Sequence, residues 1–153
     1  MKRFFLATII LVGIYACGNQ DSATASATVK SEATDNSSYD PNRGEGKFKT
    51  VDVSDKLNIP MADKGLKIFS VKCSSCHKTT AEKLVGPGWT GVTKRYTAPW
   101  IMNFITNTDA MITKDPKAQA QLEICLVRMP NQNLSDDDAR NLYEYMRKND
   151  GVK

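Results

Sequence analysis

From about residue 57 to residue 150, apolar residues recur three or four positions apart, and no alternating apolar and polar run of strand length interrupts them. This is the spacing of one face of a helix. The clearest stripe follows a Ser135 N-cap and comprises Ala139, Leu142, Tyr143 and Met146. The pattern therefore predicts an all-α domain over residues 57–150, with this last helix as its best-defined element.

Three further helices are predicted upstream from stripes and N-cap residues. The first runs from about Met61 to Lys72, with Ala62, Gly65 and Phe69 on one face. Gly65 leaves room on that face for another helix to approach closely. The other two begin at N-cap residues, one at Thr97 and ending near Asn107, and one at Asp115-Pro116 and ending near Leu126.

The N-terminal segment, Met1–Ala16, predicts an export signal. It begins with Lys2 and Arg3 and continues as an apolar run of signal-peptide length, shorter than the roughly 20 residues of a membrane-spanning helix. Cys17 ends the run in a context that resembles a bacterial lipobox, so we expect it to carry lipid and to be the first mature residue. Cleavage near Ala23-Thr24-Ala25 would instead release a soluble periplasmic protein.

Residues 17–56 are rich in serine, threonine and alanine, and they offer few side chains to bury. Such a composition predicts a flexible tether between the anchor and the helical domain. The charge balance is mild, with 21 lysines and arginines against 17 acidic residues and a net charge of +4. This excess is too small and too scattered to indicate binding to nucleic acid.

The sequence Cys73-Ser74-Ser75-Cys76-His77 contains the single histidine of the chain. A Cys-x-x-Cys-His run is the attachment signature of one covalently bound haem c, in which the two thiols bind the porphyrin and the imidazole binds the iron. Zinc would need a fourth ligand, which only Cys125 could add. A redox-active dithiol usually follows a strand, whereas a helix pattern precedes this run.

With this run placed after a short helix, residues 58–149 resemble a small monohaem class I cytochrome c. The resemblance is carried by residues spread along the segment: Gly65, Phe69, Gly86-Pro87, Met129-Pro130, Leu142 and Tyr145. It implies that the first and last helices cross, with Gly65 and Phe69 packed against Leu142 and Tyr145.

The sixth ligand of the iron is predicted to be a methionine, because a thioether favours the reduced iron and no second histidine is present. Met129 lies in a loop before Pro130, where the resembled family places its methionine, and Met111 is the alternative. The predicted metal ligands are therefore His77 and Met129.

The resemblance also implies roles for other residues around the haem. Pro87 would accept a hydrogen bond from the far nitrogen of His77, and Arg95 would pair with a propionate. Trp89, Tyr96 and Trp100 would wall the porphyrin. Each has a plainer alternative, namely a turn at Gly86-Pro87-Gly88, a solvated arginine, or ordinary core aromatics.

Together these features predict a membrane-anchored one-electron carrier of a bacterial respiratory chain, not an enzyme. Expected partners are a quinol-oxidising complex, a terminal oxidase or a nitrogen-oxide reductase. Four lysines are expected around the haem edge: Lys72, Lys78, Lys83 and Lys94. The alternative function is a haem-based gas or redox sensor with an open or labile sixth position.

Overall fold

The structure, a computed structural model, describes residues 39–153. These residues form six helices and no strand: α1 Ile59–Lys72, α2 Val92–Arg95, α3 Ala98–Thr106, α4 Thr108–Lys114, α5 Pro116–Cys125 and α6 Asp136–Asn149. The prediction of an all-α domain is confirmed. The predicted signal at residues 1–16, Cys17 and the first part of the tether lie outside the described residues.

Side-chain N-caps fix where the longer helices begin. The predicted caps Thr97, Asp115 and Ser135 each accept a hydrogen bond from a backbone N–H of the following turn. Asn58 does the same for α1, with Pro60 in the first turn, and α1 therefore begins two residues before the predicted Met61. The short helices α2 and α4 were not predicted, because neither is long enough to show a periodic stripe.

Helices α1 and α6 cross at Gly65, as the resemblance implies. A Cβ atom on Gly65 would meet the Asn141 carbonyl oxygen and would lie 2.7 Å from the Cβ of Tyr145. The rings of Phe69 and Tyr145 are 5.4 Å apart, and Leu142 is fully buried in the same core. The close contact places the C-terminal end of α1, and with it the Cys73–His77 segment, against the centre of the fold.

Residues 39–56, which we call the N-terminal strap, differ from the predicted flexible tether. The amide of Asn103, a residue with no exposed surface, accepts from the backbone N–H of Phe48 and donates to the carbonyls of Arg43 and Phe48, all at 2.9 Å. Phe48, Val51 and Val53 also pack against the core. Composition predicted disorder here because the partners of the strap are helix residues far away in the sequence.

None of the helices that the structure describes is long and apolar enough to cross a membrane.

Candidate cofactor site

The Cys73–His77 segment forms a tight turn at the C-terminal end of α1. The Cys73 N–H donates to the Phe69 carbonyl at 2.9 Å, and the His77 N–H donates to the Cys73 carbonyl at 2.9 Å. Cys73 is buried, Cys76 is partly exposed, and neither forms a disulfide. Burial raises the pKa of the Cys73 thiol to about 11, so the free thiol is protonated at neutral pH. The turn therefore presents two reduced thiols and one imidazole at the same end of α1.

The imidazole of His77 is held from two sides. Its Nδ1–H donates to the Pro87 carbonyl at 2.9 Å, and because a carbonyl can only accept, the lone pair is left on Nε2. A Cβ on Gly86 would lie 2.8 Å from Nδ1 and 2.9 Å from Nε2, so only glycine fits against the ring. Burial lowers the pKa of His77 below its ordinary value, and the bond to Pro87 opposes this only in part. The result is a neutral, oriented imidazole suited to bind a metal.

A largely apolar cavity, open to solvent on one side, lies beside this imidazole. Eight of the predicted site residues line it: Cys76, His77, Pro87, Trp89, Arg95, Tyr96, Trp100 and Met129. Cys73 lines an adjoining cleft that shares Cys76, His77 and Met129 with the cavity. The fold thus brings all nine predicted residues to one place.

The three predicted aromatic residues all line the cavity, Trp89 in one cluster of rings and Tyr96 and Trp100 in another. Trp89 contacts Phe69 edge to face, with ring centroids 4.7 Å apart, and lies 5.7 Å from the His77 ring. Trp100 stacks between Tyr96 at 4.1 Å and Phe104 at 5.2 Å. These rings give the cavity a rigid, mostly apolar aromatic lining.

The two methionines considered as ligands differ in position. Met129 is partly buried in the loop after α5 and lines both the cavity and the adjoining cleft together with His77. Met111 has no exposed surface and does not line the cavity; its sulfur accepts the Glu45 N–H at 3.0 Å. Met146 lines the cavity as well, from within α6.

Arg95 lines the cavity while its guanidinium holds the neighbouring loop. The guanidinium donates to the carbonyls of Thr90 at 2.5 Å and Gly88 at 3.4 Å, and the residue as a whole is exposed. The side chain thus lies at the edge of the cavity, and its pairing with a haem propionate stays a prediction.

Helices α3 and α5 supply lining residues that sequence reasoning did not assign to the site. Their only signal is apolar spacing on the two helices: Ile101, Phe104, Ile105, Ala118, Leu122 and Cys125. Cys125 is partly exposed at the cavity wall. No group of three His, Cys, Asp or Glu side chains among residues 39–153 is arranged to hold a metal ion.

These residues fit haem c. Two thiols and an imidazole on one turn match covalent attachment and one axial ligand, and a thioether on the same cavity matches the other. The apolar walls would exclude water from the porphyrin faces, and the open side leaves room for charged propionates. Cys73 and Cys76 would hold the group, with His77 on the iron.

Comparison with known proteins agrees with this assignment. The cytochrome c family profile matches residues 62–150. A cytochrome c from Rhodothermus marinus is 30% identical, with a TM-score of 0.66, over 69% of this chain and 90% of that one. An engineered form of it is 28% identical over the same shares, with TM-scores of 0.66 and, bound to a carbene intermediate, 0.63. No curated protein matches the sequence. The profile covers more than half of the chain and includes the turn at Cys73–His77, so the chain belongs to the cytochrome c family and carries haem c attached through Cys73 and Cys76.

Proposed function

We propose that this cytochrome is a one-electron carrier of a bacterial respiratory chain, with His77 and Met129 as axial ligands. The observation that carries the proposal is that His77 and Met129 line the same apolar cavity and the same adjoining cleft. The haem supplies the one-electron chemistry at iron. With both axial positions filled by side chains, the protein exchanges electrons without binding a substrate at the metal.

The side chains around the cavity serve this role in distinct ways. Pro87 fixes the orientation of the imidazole and raises its basicity through the 2.9 Å bond to Nδ1. The apolar walls limit solvent access, which favours the less charged, reduced state of the iron. The thioether of Met129 is a soft, neutral ligand that favours the same state. The apolar walls and the thioether therefore raise the reduction potential, whereas the more basic imidazole opposes them by stabilising the oxidised iron.

The absorption spectrum of the exported, mature protein tests this assignment. We expect the weak far-red ferric band typical of methionine ligation, and no binding of carbon monoxide by the reduced protein. We also expect rapid, reversible oxidation and reduction by membranes of the native host. A missing band together with carbon monoxide binding would favour the gas-sensor alternative and overturn the carrier assignment.

An exposed apolar surface borders the open side of the cavity. We call it the apolar rim, and it comprises Leu84, Val85, Ile124, Leu126 and Val127. The Lys83 amine donates to the Ile124 carbonyl at 2.8 Å and joins the loop that carries Leu84 and Val85 to the C-terminal end of α5. Val85 and Val127 also line the cavity, so the rim lies where a partner would approach the cofactor most closely.

Charged side chains near the apolar rim form ion pairs or hydrogen bonds within the molecule. Lys78 pairs with Glu82 at 2.7 Å, and Arg128 pairs with Asp109 at 3.0 Å. Among the other lysines expected around the haem edge, Lys72 donates to the Gln132 carbonyl at 2.9 Å. A lysine that donates to a carbonyl keeps its charge, so the expected redox partners, whether a quinol-oxidising complex, a terminal oxidase or a nitrogen-oxide reductase, would dock through apolar contact at the rim together with a salt-sensitive attraction to these lysines.

Leu126→Asn tests this docking surface. Leu126 has a positive φ of 59° and is 84% exposed, and asparagine tolerates that backbone conformation better than leucine does. The variant should therefore fold normally while electron transfer to native membranes slows about tenfold, through loss of roughly 1.4 kcal/mol of apolar burial. Ile59→Asn, at an exposed position that does not line the cavity, is the matched control. Equal electron-transfer rates for the two variants would exclude the apolar rim as the docking surface.

We further propose that export and a lipid on Cys17 anchor the protein at the outer face of the cytoplasmic membrane. A chain joined to lipid through one residue partitions with membranes only while that residue is modified. Cys17→Ser should therefore move the haem-containing protein from the membrane fraction to the soluble periplasmic fraction. Its retention with membranes would instead point to anchoring by another segment.

A further inference from the structure

Asp115 is a fully buried carboxylate that belongs to neither the haem-attachment turn nor the candidate axial ligands. Its Oδ2 accepts the indole Nε1–H of Trp100 at 2.9 Å and the hydroxyl of Tyr39. Its Oδ1 accepts the backbone N–H of Ala118 at 2.8 Å. A buried carboxylate is costly unless it is hydrogen-bonded, and here three donors offset the cost.

Two of these donors belong to walls of the cofactor cavity. Trp100 lines the cavity and is held between two near-parallel rings, those of Tyr96 and Phe104. Ala118 also lines the cavity, in the first turn of α5, the helix that supplies Leu122 and Cys125 to the same wall. One carboxylate therefore fixes both the indole ring on α3 and the start of α5.

The third donor comes from the N-terminal strap, which precedes the segment that matches the family profile. The pKa of the Tyr39 phenol is raised above its ordinary value, first by burial and then by the bond to Asp115, so the phenol remains a donor. The strap is fastened next to this point, where the Lys117 amine donates to the Pro41 carbonyl at 2.8 Å. Tyr39 thus joins the strap to the buried carboxylate.

We propose that Asp115 is a positioning residue of the haem pocket, and that Tyr39 locks it. The carboxylate holds Trp100 and the start of α5 in place, and the strap completes its hydrogen-bond shell and keeps these two walls closed to small molecules. The proposal rests on the haem site and not on the identity of the sixth ligand.

Tyr39→Phe tests it, because this change removes only the strap's donor to Asp115. Trp89 and Trp100 are the two tryptophans of the chain, so hydrogen exchange of the Trp100 indole can be measured by NMR with Trp89 as internal reference. In the reduced holoprotein, exchange at Trp100 should accelerate about tenfold, as expected from loss of one charge-assisted hydrogen bond. Exchange at Trp89 should not change. Imidazole should also bind the oxidised protein faster.

Tyr143→Phe is the matched control, since it removes a phenol that lies outside the cavity lining. Asp115→Asn should accelerate Trp100 indole exchange and imidazole binding more than Tyr39→Phe does. If Asp115→Asn fails to fold, imidazole binding is measured on Trp100→Phe, which retains an aromatic ring but no N–H donor. A lower melting temperature of Tyr39→Phe, with Trp100 exchange and imidazole binding unchanged, would show that the strap is only stabilising and would overturn the proposal. Equal acceleration at both tryptophans would also overturn it. If the ferric band typical of methionine ligation is absent, the axial assignment in the proposed function fails. The indole exchange measurement still tests the role of Asp115, so the two failures are distinguishable.

Discussion

Replacing Met129 with alanine should lower the reduction potential by on the order of 100 mV or more, within the roughly 0.8 V range that axial ligands set. A methionine sulfur stabilises the reduced iron, and alanine cannot reach it. The same variant should lose the weak ferric band typical of methionine ligation, bind carbon monoxide, and bind imidazole faster than the unmodified protein does. Potentiometry and ligand titration of the purified holoprotein measure both effects.

Met111→Ala provides the matched control for this experiment. Met111 has no exposed surface, and its sulfur already accepts the Glu45 N–H, so its loss should destabilise the fold by about 2–5 kcal/mol. The reduction potential and the ferric band should remain those of the unmodified protein. If the losses of band and potential follow Met111→Ala instead, or Met146→Ala, the assignment of Met129 is refuted.

Replacing Glu144 with glutamine should lower the free energy of unfolding by about 3–5 kcal/mol, because it leaves a buried guanidinium without its counter-charge. Glu144 has no exposed surface and pairs with Arg147 at 2.9 Å and Arg140 at 2.5 Å. It also accepts the N–H of Asn58, and Arg147 donates to the Ser54 carbonyl at 2.6 Å. These bonds thus fasten the end of the strap and the start of α1 to α6. Denaturant unfolding of the holoprotein measures their contribution to the free energy of unfolding.

The exposed pair of Asp63 and Lys148, at 2.8 Å between α1 and α6, is the control for Glu144. Asp63→Asn should cost less than about 1 kcal/mol. Burial alone would raise the pKa of Glu144, but the hydrogen bonds from Arg140 and Arg147 outweigh it and hold the pKa below the ordinary 4.5. The stabilisation is therefore complete above pH 4.5 and lost as the pH falls through the native pKa. A deficit of Glu144→Gln that does not shrink in acid would show that packing, and not charge, explains it.

The features that the sequence predicted correctly are those whose geometry is local. Thr97, Asp115 and Ser135 cap the residues that immediately follow them, so a short stretch of sequence is enough to identify the cap. The α6 stripe likewise places Leu142 in the core through helical spacing alone. Asp115 shows both cases. Its capping of α5 is local and was predictable, whereas its hydrogen bonds to Trp100 and Tyr39 are long-range and were not.

By itself, the sequence determined the cofactor and its attachment point, because two cysteines and a histidine within five residues occupy one turn whatever the rest of the chain does. Only the tertiary structure decided that residues 39–56 form an ordered strap, that Glu144 is buried, and that α5 walls the cavity. The physical reason is that these features depend on hydrogen bonds and packing between residues dozens of positions apart. Such contacts arise when helices dock, and they leave no periodic pattern at either end.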